Sequence, residues 1–142
     1  KGAAVVRADS TWYMVDTKAG KAIRVPESEA AYISDTPRLD MPPMPRHIPT
    51  TGTPTEAPSI TVSQQHLDTN KHVNNAQYVM MAIDALSALG YPFALHRIIV
   101  QYRRQAHLDD VIFPRIYQDE GGITVSLDSP KHKTYAIVRL EK

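Results

Sequence analysis

The side chains best suited to chemistry lie in one short polar run that contains Asp68, Asn70 and His72. A carboxylate or an imidazole can act as a general acid or base, and an amide can orient a water molecule through hydrogen bonds. Asn75 follows at the predicted start of a helix, where free backbone N–H groups and the positive end of the helix dipole are found. Such donors stabilise the oxyanion that forms when a carbonyl group is attacked. The run therefore predicts a site at which water attacks a carbonyl compound.

The same residues also fit roles without chemistry. Aspartate and asparagine are common in turns, so Asp68 and Asn70 could simply shape the chain there. His66, Asp68 and His72 could bind a metal ion, because histidine and carboxylate are common ligands, but their spacings are loose and we expect no metal. The remaining histidines have no partner that the sequence reveals, and we expect them on the surface: His47, His96, His107 and His132.

A helix is predicted from about Asn75 to Leu89, immediately after the polar run. Asn74 can cap its first turn, and Gly90 with Pro92 ends it. Its apolar side chains cover nearly every face, which predicts a helix that is buried rather than one that rests on a surface.

Five strands accompany this helix, one before it and four after it. In the first strand after the helix, Ile98, Val100 and Tyr102 alternate with Gln101 and Arg103, as in an antiparallel sheet with one face in water. A sheet that curls around a single apolar helix is the hotdog arrangement, an α+β fold. The predicted strands span residues 59–63, 97–105, 111–117, 123–127 and 135–140.

Proline content divides the chain into three parts. Eight of the eleven prolines lie in residues 26–58, and proline removes backbone donors, so this stretch is predicted to be a linker outside any sheet interior. The pattern of residues 1–25 predicts a hairpin, which is marginal on its own in water. Because the sequence starts at Lys1, we expect a fragment in which this hairpin ends a preceding hotdog domain. Residues 59–142 then form a complete hotdog domain that carries the polar run.

The composition argues against several classes of function. A net charge of +1 without blocks of like charge gives no reason to expect a nucleic-acid partner. The longest apolar stretch, residues 78–89, is too short to span a membrane. The absence of cysteine excludes disulfides, thiolate metal sites and a cysteine nucleophile. We expect no cofactor and a cytoplasmic location.

The polar run resembles the signature of plant and bacterial acyl-acyl carrier protein thioesterases. The matching motif is Asp68-x-Asn70-x-His72-Val73-Asn74-Asn75-x-x-Tyr78. Weaker similarity extends to the end of that family's first hotdog domain and to strands of its second. The positions concerned are Ala8, Ser10, Trp12, Asp16, Gly20, Arg24 and Pro26 in the first, and Val100, Tyr102, Asp110 and Ile112 in the second.

This resemblance implies a double hotdog in which the second domain supplies the catalytic residues, here Asp68, Asn70 and His72. The family often has a glutamate, sometimes followed by a cysteine, just after the Tyr-x-x of its long strand, where this sequence has Gln105 and Ala106. A glutamine cannot act as a base and an alanine cannot act as a nucleophile, so Gln105 is expected to position the water or the substrate. The residues expected to contact the substrate are Val73, Asn75, Tyr78 and Met81.

The mechanism that we expect uses His72, or Asp68 by way of His72, to activate a water that attacks a thioester carbonyl. Helix-start N–H groups and the Asn70 amide then hold the oxyanion. Direct attack by Asp68, which would form an anhydride, is the alternative.

By the same resemblance, the reaction is hydrolysis of fatty acyl-acyl carrier protein, which releases free fatty acid in fatty acid biosynthesis. The partner is the carrier protein with its fatty acyl-phosphopantetheine, and hotdog sheets that pair edge to edge imply a homodimer or association with a first hotdog domain. An acyl-coenzyme A thioesterase and a non-catalytic acyl-binding module remain as alternatives, because a fold does not specify a function. The arginines that could dock an acidic carrier, or could belong to a solvated sheet face, are Arg97, Arg103, Arg104 and Arg115.

Overall fold

The computed structural model describes residues 14–32, 37–43, 45–91 and 96–141. The chain divides into two compact units after Pro43, within the stretch that the prolines mark as a linker. The sequence features at Ala8, Ser10 and Trp12 lie outside the described residues.

The first unit contains the hairpin that the turn at residues 16–21 predicts. The Asp16 side chain closes this turn by accepting hydrogen bonds from the amides of Lys18 and Ala19 at 2.8 and 3.0 Å. These bonds hold the pKa of the Asp16 carboxyl below its usual value. The elements of this unit are the antiparallel strands β1 (Met14–Asp16) and β2 (Lys21–Ile23) and a 3-10 helix at Glu27–Tyr32.

The second unit is an antiparallel sheet with one helix. Its strands are β3 (Thr55–Glu56), β4 (Ile60–Thr61), β5 (Arg97–Tyr102), β6 (Val111–Asp119), β7 (Gly122–Asp128) and β8 (Thr134–Glu141). They lie in the order β3-β6-β7-β8-β5, and β4 pairs with the first residues of β6. Helix α1 (Asn75–Ala88) packs against β6, β7 and β8. The predicted α+β hotdog arrangement is confirmed.

The hydrophobic core lies between one face of α1 and the sheet. Strand β7 is buried along its whole length because it lies in the middle of the sheet. The other face of α1 is open, since Met80 is 48% exposed and Leu89 is 39% exposed. The prediction of a buried helix rather than one that rests on a surface therefore holds for the face against the sheet and is wrong for the opposite face, because a single sheet covers only one face of a helix. The buried helix residues are Tyr78, Met81, Ala82, Ala85 and Leu86.

The strand predicted at residues 97–105 ends earlier, at Tyr102. The amides of Arg103 and Arg104 both donate to the carbonyl oxygen of Tyr135, at 2.8 and 3.1 Å, which interrupts the regular pairing with β8. The strand predicted at residues 59–63 is also shorter, and residues 64–66 form a 3-10 helix instead. Residues 64–66 immediately precede the polar run, and residues 103–104 precede Ala106, whose carbonyl oxygen accepts from the amide of Val73.

The end of the predicted linker is fixed to the sheet. Ile48 is only 4% exposed and packs with Ile99 and Ile137, in a cluster separate from the main core. The side-chain amide of Gln101 also donates to the carbonyl oxygen of Arg46 at 3.0 Å. The compact second unit therefore begins before the first strand that the sequence predicts.

Replacing Gly122 by alanine is expected to lower the free energy of unfolding by about 2 kcal/mol or more. An added Cβ would overlap the carbonyl oxygen of Leu140 in the paired strand β8, where the backbone cannot yield. Gly121→Ala is the matched control, because its Cβ would meet only the movable end of the Arg139 side chain at 2.8 Å and the Asp119 side chain. Denaturant unfolding of the two variants measures the difference, and equal losses would contradict the prediction.

Candidate functional site

The polar run folds into a tight turn between the 3-10 helix Gln64–His66 and α1. Leu67 and Val73 form an isolated antiparallel bridge across its base. Within the turn, the amide of Asp68 donates to the carbonyl oxygen of His72 at 2.8 Å. Lys71 adopts a left-handed conformation with φ of 61°. These contacts bring Asp68 and His72 side by side through their backbones.

The Asp68 carboxylate is held by the main chain of this turn. Its Oδ1 atom accepts hydrogen bonds from the amide of Asn70 at 2.8 Å and from the amide of His72 at 3.2 Å. In the described part of the chain, no group donates to Oδ2. One oxygen therefore fixes the orientation of this half-buried carboxylate, and the other remains available for a ligand.

The start of α1 leaves one backbone N–H group unused. The predicted cap is confirmed, because the Asn74 side chain accepts from the amide of Ala76 at 2.9 Å. The amides of Val73, Asn74 and Gln77 are also used, by the carbonyl oxygens of Ala106, His66 and Asn74 respectively. Among the described residues, the Asn75 N–H has no acceptor. At the helix start it is the donor that the contacts within the described ranges leave without a hydrogen bond, on a residue that is exposed.

The connection between β5 and β6 lies against the polar turn and the helix start. Ala106 is fully buried, and its carbonyl oxygen accepts from the Val73 amide at 2.9 Å. Its amide donates to the Tyr78 hydroxyl at 2.9 Å. These bonds place Gln105 beside the turn, where it is exposed and its side chain has no hydrogen bond within the described ranges.

His107, for which the sequence reveals no partner, contacts the ring of His72 with its own ring. The two ring centroids are 5.0 Å apart, and the ring planes meet at 81°. The His107 side chain is exposed, as expected. The sequence signal that could have identified it is its place two residues beyond Gln105, in the segment that already resembled the functional region of a family.

The predicted substrate contacts fall into two groups. Val73, Tyr78 and Met81 are each less than a twentieth exposed and belong to the core, whereas Asn75 is exposed. Next to Asn75 lies Tyr102, which sequence analysis did not assign to the site; its hydroxyl donates to the Asn75 carbonyl oxygen at 3.2 Å.

The exposed apolar residues near this point lie on β5 and α1. Tyr102 shares one face of β5 with Val100 and Ile98, and Ile98 and Tyr102 are 46% and 45% exposed. The helix contributes Met80, which is exposed, whereas its neighbour Met81 is buried. Apolar surface therefore leads away from the helix start.

The four arginines that could dock a carrier differ in whether they form an ion pair with an acidic side chain. Arg97 pairs with Glu141 at 3.4 Å, and Arg115 pairs with Asp128 at 3.4 Å. Arg103 and Arg104 are exposed and form no ion pair with another described residue; they immediately precede Gln105. They are the arginines whose charge is available beside the site.

Replacing Tyr78 by phenylalanine is expected to lower the free energy of unfolding by about 1–3 kcal/mol, because the buried Ala106 amide would lose its acceptor. Burial also raises the pKa of the Tyr78 hydroxyl, so it stays protonated at neutral pH. Tyr102→Phe is the matched control and should cost less, since its hydroxyl is at the surface. Thermal or denaturant unfolding checks the difference, and a larger loss for Tyr102→Phe would refute it.

Among the described residues, no three or more histidine, cysteine, aspartate or glutamate side chains are grouped to hold a metal ion. Across those ranges, no helix is long and apolar enough to cross a membrane.

Comparison with known proteins identifies a family. The family model described as acyl-ACP thioesterase C-terminal domain matches residues 52–136, more than half of the chain. No curated protein sequence matches the chain. An acyl-ACP thioesterase from Bacteroides thetaiotaomicron has a similar structure, with a TM-score of 0.72 at 17% identity over 89% of this chain and 52% of that one. This chain thus spans about half the length of the Bacteroides protein.

Two further solved structures share the fold. A hypothetical protein from Staphylococcus aureus, solved in complex with CoA, gives a TM-score of 0.56 at 17% identity over 63% of this chain and 78% of that one. The probable thioesterase YbaW from Escherichia coli gives a TM-score of 0.51 at 24% identity over 63% of this chain and 79% of that one. At these identities the likeness shows the hotdog fold alone.

Proposed function

Because the chain belongs to the acyl-ACP thioesterase C-terminal domain family, we propose that residues 59–142 hydrolyse the thioester of a fatty acyl-acyl carrier protein. The observation that carries this proposal is the unused N–H of Asn75 at the start of α1, next to the turn that holds the Asp68 carboxylate. A donor for an oxyanion and a fixed base are the two groups that hydrolysis of an acyl group needs.

The Asn75 N–H is the proposed main donor to the thioester oxygen. As water attacks, that oxygen becomes an oxyanion, and a fixed donor at a helix start stabilises it more than the neutral carbonyl. The exposed Asn70 side-chain amide is the proposed second donor. Loss of one such donor typically lowers the rate by about two to three powers of ten.

Asp68 is the proposed base. Its two main-chain hydrogen bonds orient the carboxylate and leave Oδ2 available. Within the described ranges, no hydrogen bond joins its carboxylate to the His72 ring, which favours direct action of Asp68 over a relay through His72. The His72 imidazole and the Gln105 amide then hold the attacking water.

The proposed reaction balances without a cofactor. The water oxygen bonds to the thioester carbon while one water proton passes to Asp68. The tetrahedral intermediate collapses, the carbon–sulfur bond breaks, and the pantetheine thiolate takes the proton from Asp68. The products are a free fatty acid and the carrier protein with its thiol.

The acyl chain is proposed to lie along an apolar surface made by the exposed side chains of Tyr102, Ile98 and Met80 and by the partly buried Val100. This surface begins at the Asn75 carbonyl oxygen, to which the Tyr102 hydroxyl donates. Residues 98–102 of an extended strand span roughly 13 Å. That length favours a medium or long fatty acyl chain over a short one.

An acidic carrier protein is proposed to dock at Arg103 and Arg104. Both arginines are exposed and precede the site, whereas Arg97 and Arg115 have acidic partners. Arg103 and Arg104 supply positive charge for the acidic surface of a carrier protein, and a direct comparison of the two thioesters separates the carrier from coenzyme A, whose phosphates are also anionic. Residues 1–25 are in turn proposed to end a preceding hotdog domain, which is supported by the place of residues 14–25 in a compact unit separate from the second one.

A non-catalytic acyl-binding module is the second candidate, and Gln105 and Ala106 favour it because neither residue can replace the glutamate and cysteine of the family. The experiment that separates the two functions follows thiol release from long-chain acyl-acyl carrier protein and from acyl-coenzyme A of the same chain length. Turnover that favours the carrier supports the proposal. Tight binding of both acyl ligands without thiol release would support the binding module instead.

A further inference from the structure

The orientation of the His72 imidazole depends on contacts other than hydrogen bonds to its ring nitrogens. Asp68 binds the backbone amide of His72 rather than its imidazole. In the described part of the chain, no hydrogen bond reaches either ring nitrogen. Among the residues that the structure describes, the one ring contact of His72 is with His107, edge to face at 5.0 Å between centroids, an arrangement that aromatic rings prefer over a flat stack.

His107 is itself fixed by a series of contacts that begins in the core. Tyr135 is 9% exposed, and its hydroxyl donates to Oδ2 of Asp110 at 3.2 Å. The same oxygen accepts from the backbone amide of His107 at 2.9 Å. It also lies 4.0 Å from the imidazole Nδ1 of His107. The backbone of His107 is therefore fixed by the Asp110 carboxylate, and its exposed ring lies beside the same carboxylate.

We infer that His107 is a positioning residue, which holds the His72 imidazole in the orientation needed to bind the attacking water. This inference rests on the proposed function. It also gives a role to the segment after β5, in which Gln105 and Ala106 lack the chemistry of the corresponding family residues. His107 acts through His72 and does not contact the thioester.

The test compares the wild-type chain with His107→Ala and His107→Phe. The alanine variant is expected to lower kcat for acyl-acyl carrier protein by roughly three- to tenfold, the effect of losing one edge-to-face ring contact. KM should stay within about twofold, because the substrate is not touched. His107→Phe retains a flat ring and should recover most of the lost kcat. His47→Ala, an exposed histidine on the linker, is the matched control and should match the wild type.

A second readout does not depend on activity. The His72 ring protons, assigned in NMR spectra by their loss in His72→Asn, sense the neighbouring ring current. Their chemical shifts should change in His107→Ala and return toward the wild type in His107→Phe.

The outcomes separate this inference from the proposed function. Normal kcat with unmoved His72 signals in His107→Ala would overturn the role of His107 alone. Equal loss of kcat in the alanine and phenylalanine variants would also overturn it, because a nitrogen of His107 would then be required. Absence of turnover in the wild-type chain would instead contradict the proposed function.

Discussion

Replacing Asp68 by asparagine is expected to lower kcat for acyl-acyl carrier protein by about a hundred- to ten-thousandfold, the usual contribution of a general base. The asparagine oxygen can still accept the hydrogen bonds from the amides of Asn70 and His72, so the turn should keep its shape. Only the capacity to take a proton is lost. Steady-state release of the carrier thiol measures the change.

Two controls make this result specific. Asp84→Asn neutralises an exposed carboxylate on α1, and its kcat should stay within about twofold of the wild type. Asp68→Ala removes the acceptor of both amide bonds, so it should also lower the free energy of unfolding by about 1–2 kcal/mol. A kcat for Asp68→Asn close to the wild type would show that Asp68 only shapes the turn and would leave His72 as the base.

Reversing the charge of Arg103 and Arg104 together, as Arg103→Glu with Arg104→Glu, is expected to lower kcat/KM for the carrier substrate by about ten- to a hundredfold. The effect should fall on KM, because docking precedes chemistry. Added salt should weaken the wild-type reaction and have less effect on the variant, since exposed charges are screened. Kinetics at two ionic strengths measure both effects.

The matched control is Lys131→Glu with Lys133→Glu, which makes the same change in net charge on the β7–β8 hairpin, where both lysines are exposed. A carrier that docks at the arginines should be much less sensitive to this pair. If both double variants lower kcat/KM equally, the effect is one of overall charge, and the proposed docking surface is wrong.

Local features of the sequence were enough to predict the helix start. Asn74 caps α1 as expected, because capping involves only the residue itself and the two amides that follow it. The alternation at residues 98–102 likewise predicted β5, which pairs with β8 in regular register over six residue pairs. Patterns that repeat within a few residues are visible without knowledge of the rest of the fold.

Features that depend on distant residues were not predicted. The end of β5 at Tyr102 depends on the carbonyl oxygen of Tyr135, which accepts two successive amides from another part of the chain. The composition of α1 predicted a buried helix, but only the position of the sheet determines that Met80 remains exposed.

The candidate site likewise combines local features, which the sequence reveals, with contacts between distant residues, which it does not. The residue types at Asp68, Asn70 and His72 were enough to suggest the proposed chemistry, since these residues lie within one turn. The ring contact between His72 and His107 and the acidic partner of Arg97 depend on pairs of residues far apart in sequence. Sequence spacing therefore located the proposed base but not the groups that surround it.

The most direct test of the account is a single turnover of long-chain acyl-acyl carrier protein in water labelled with oxygen-18, with the wild-type chain in excess. The account predicts release of fatty acid that carries one labelled oxygen, and no label in the peptide that contains Asp68, because the base takes only a proton. Label in Asp68 would show attack by the carboxylate through an anhydride. Failure to release any fatty acid would contradict hydrolysis by this chain altogether.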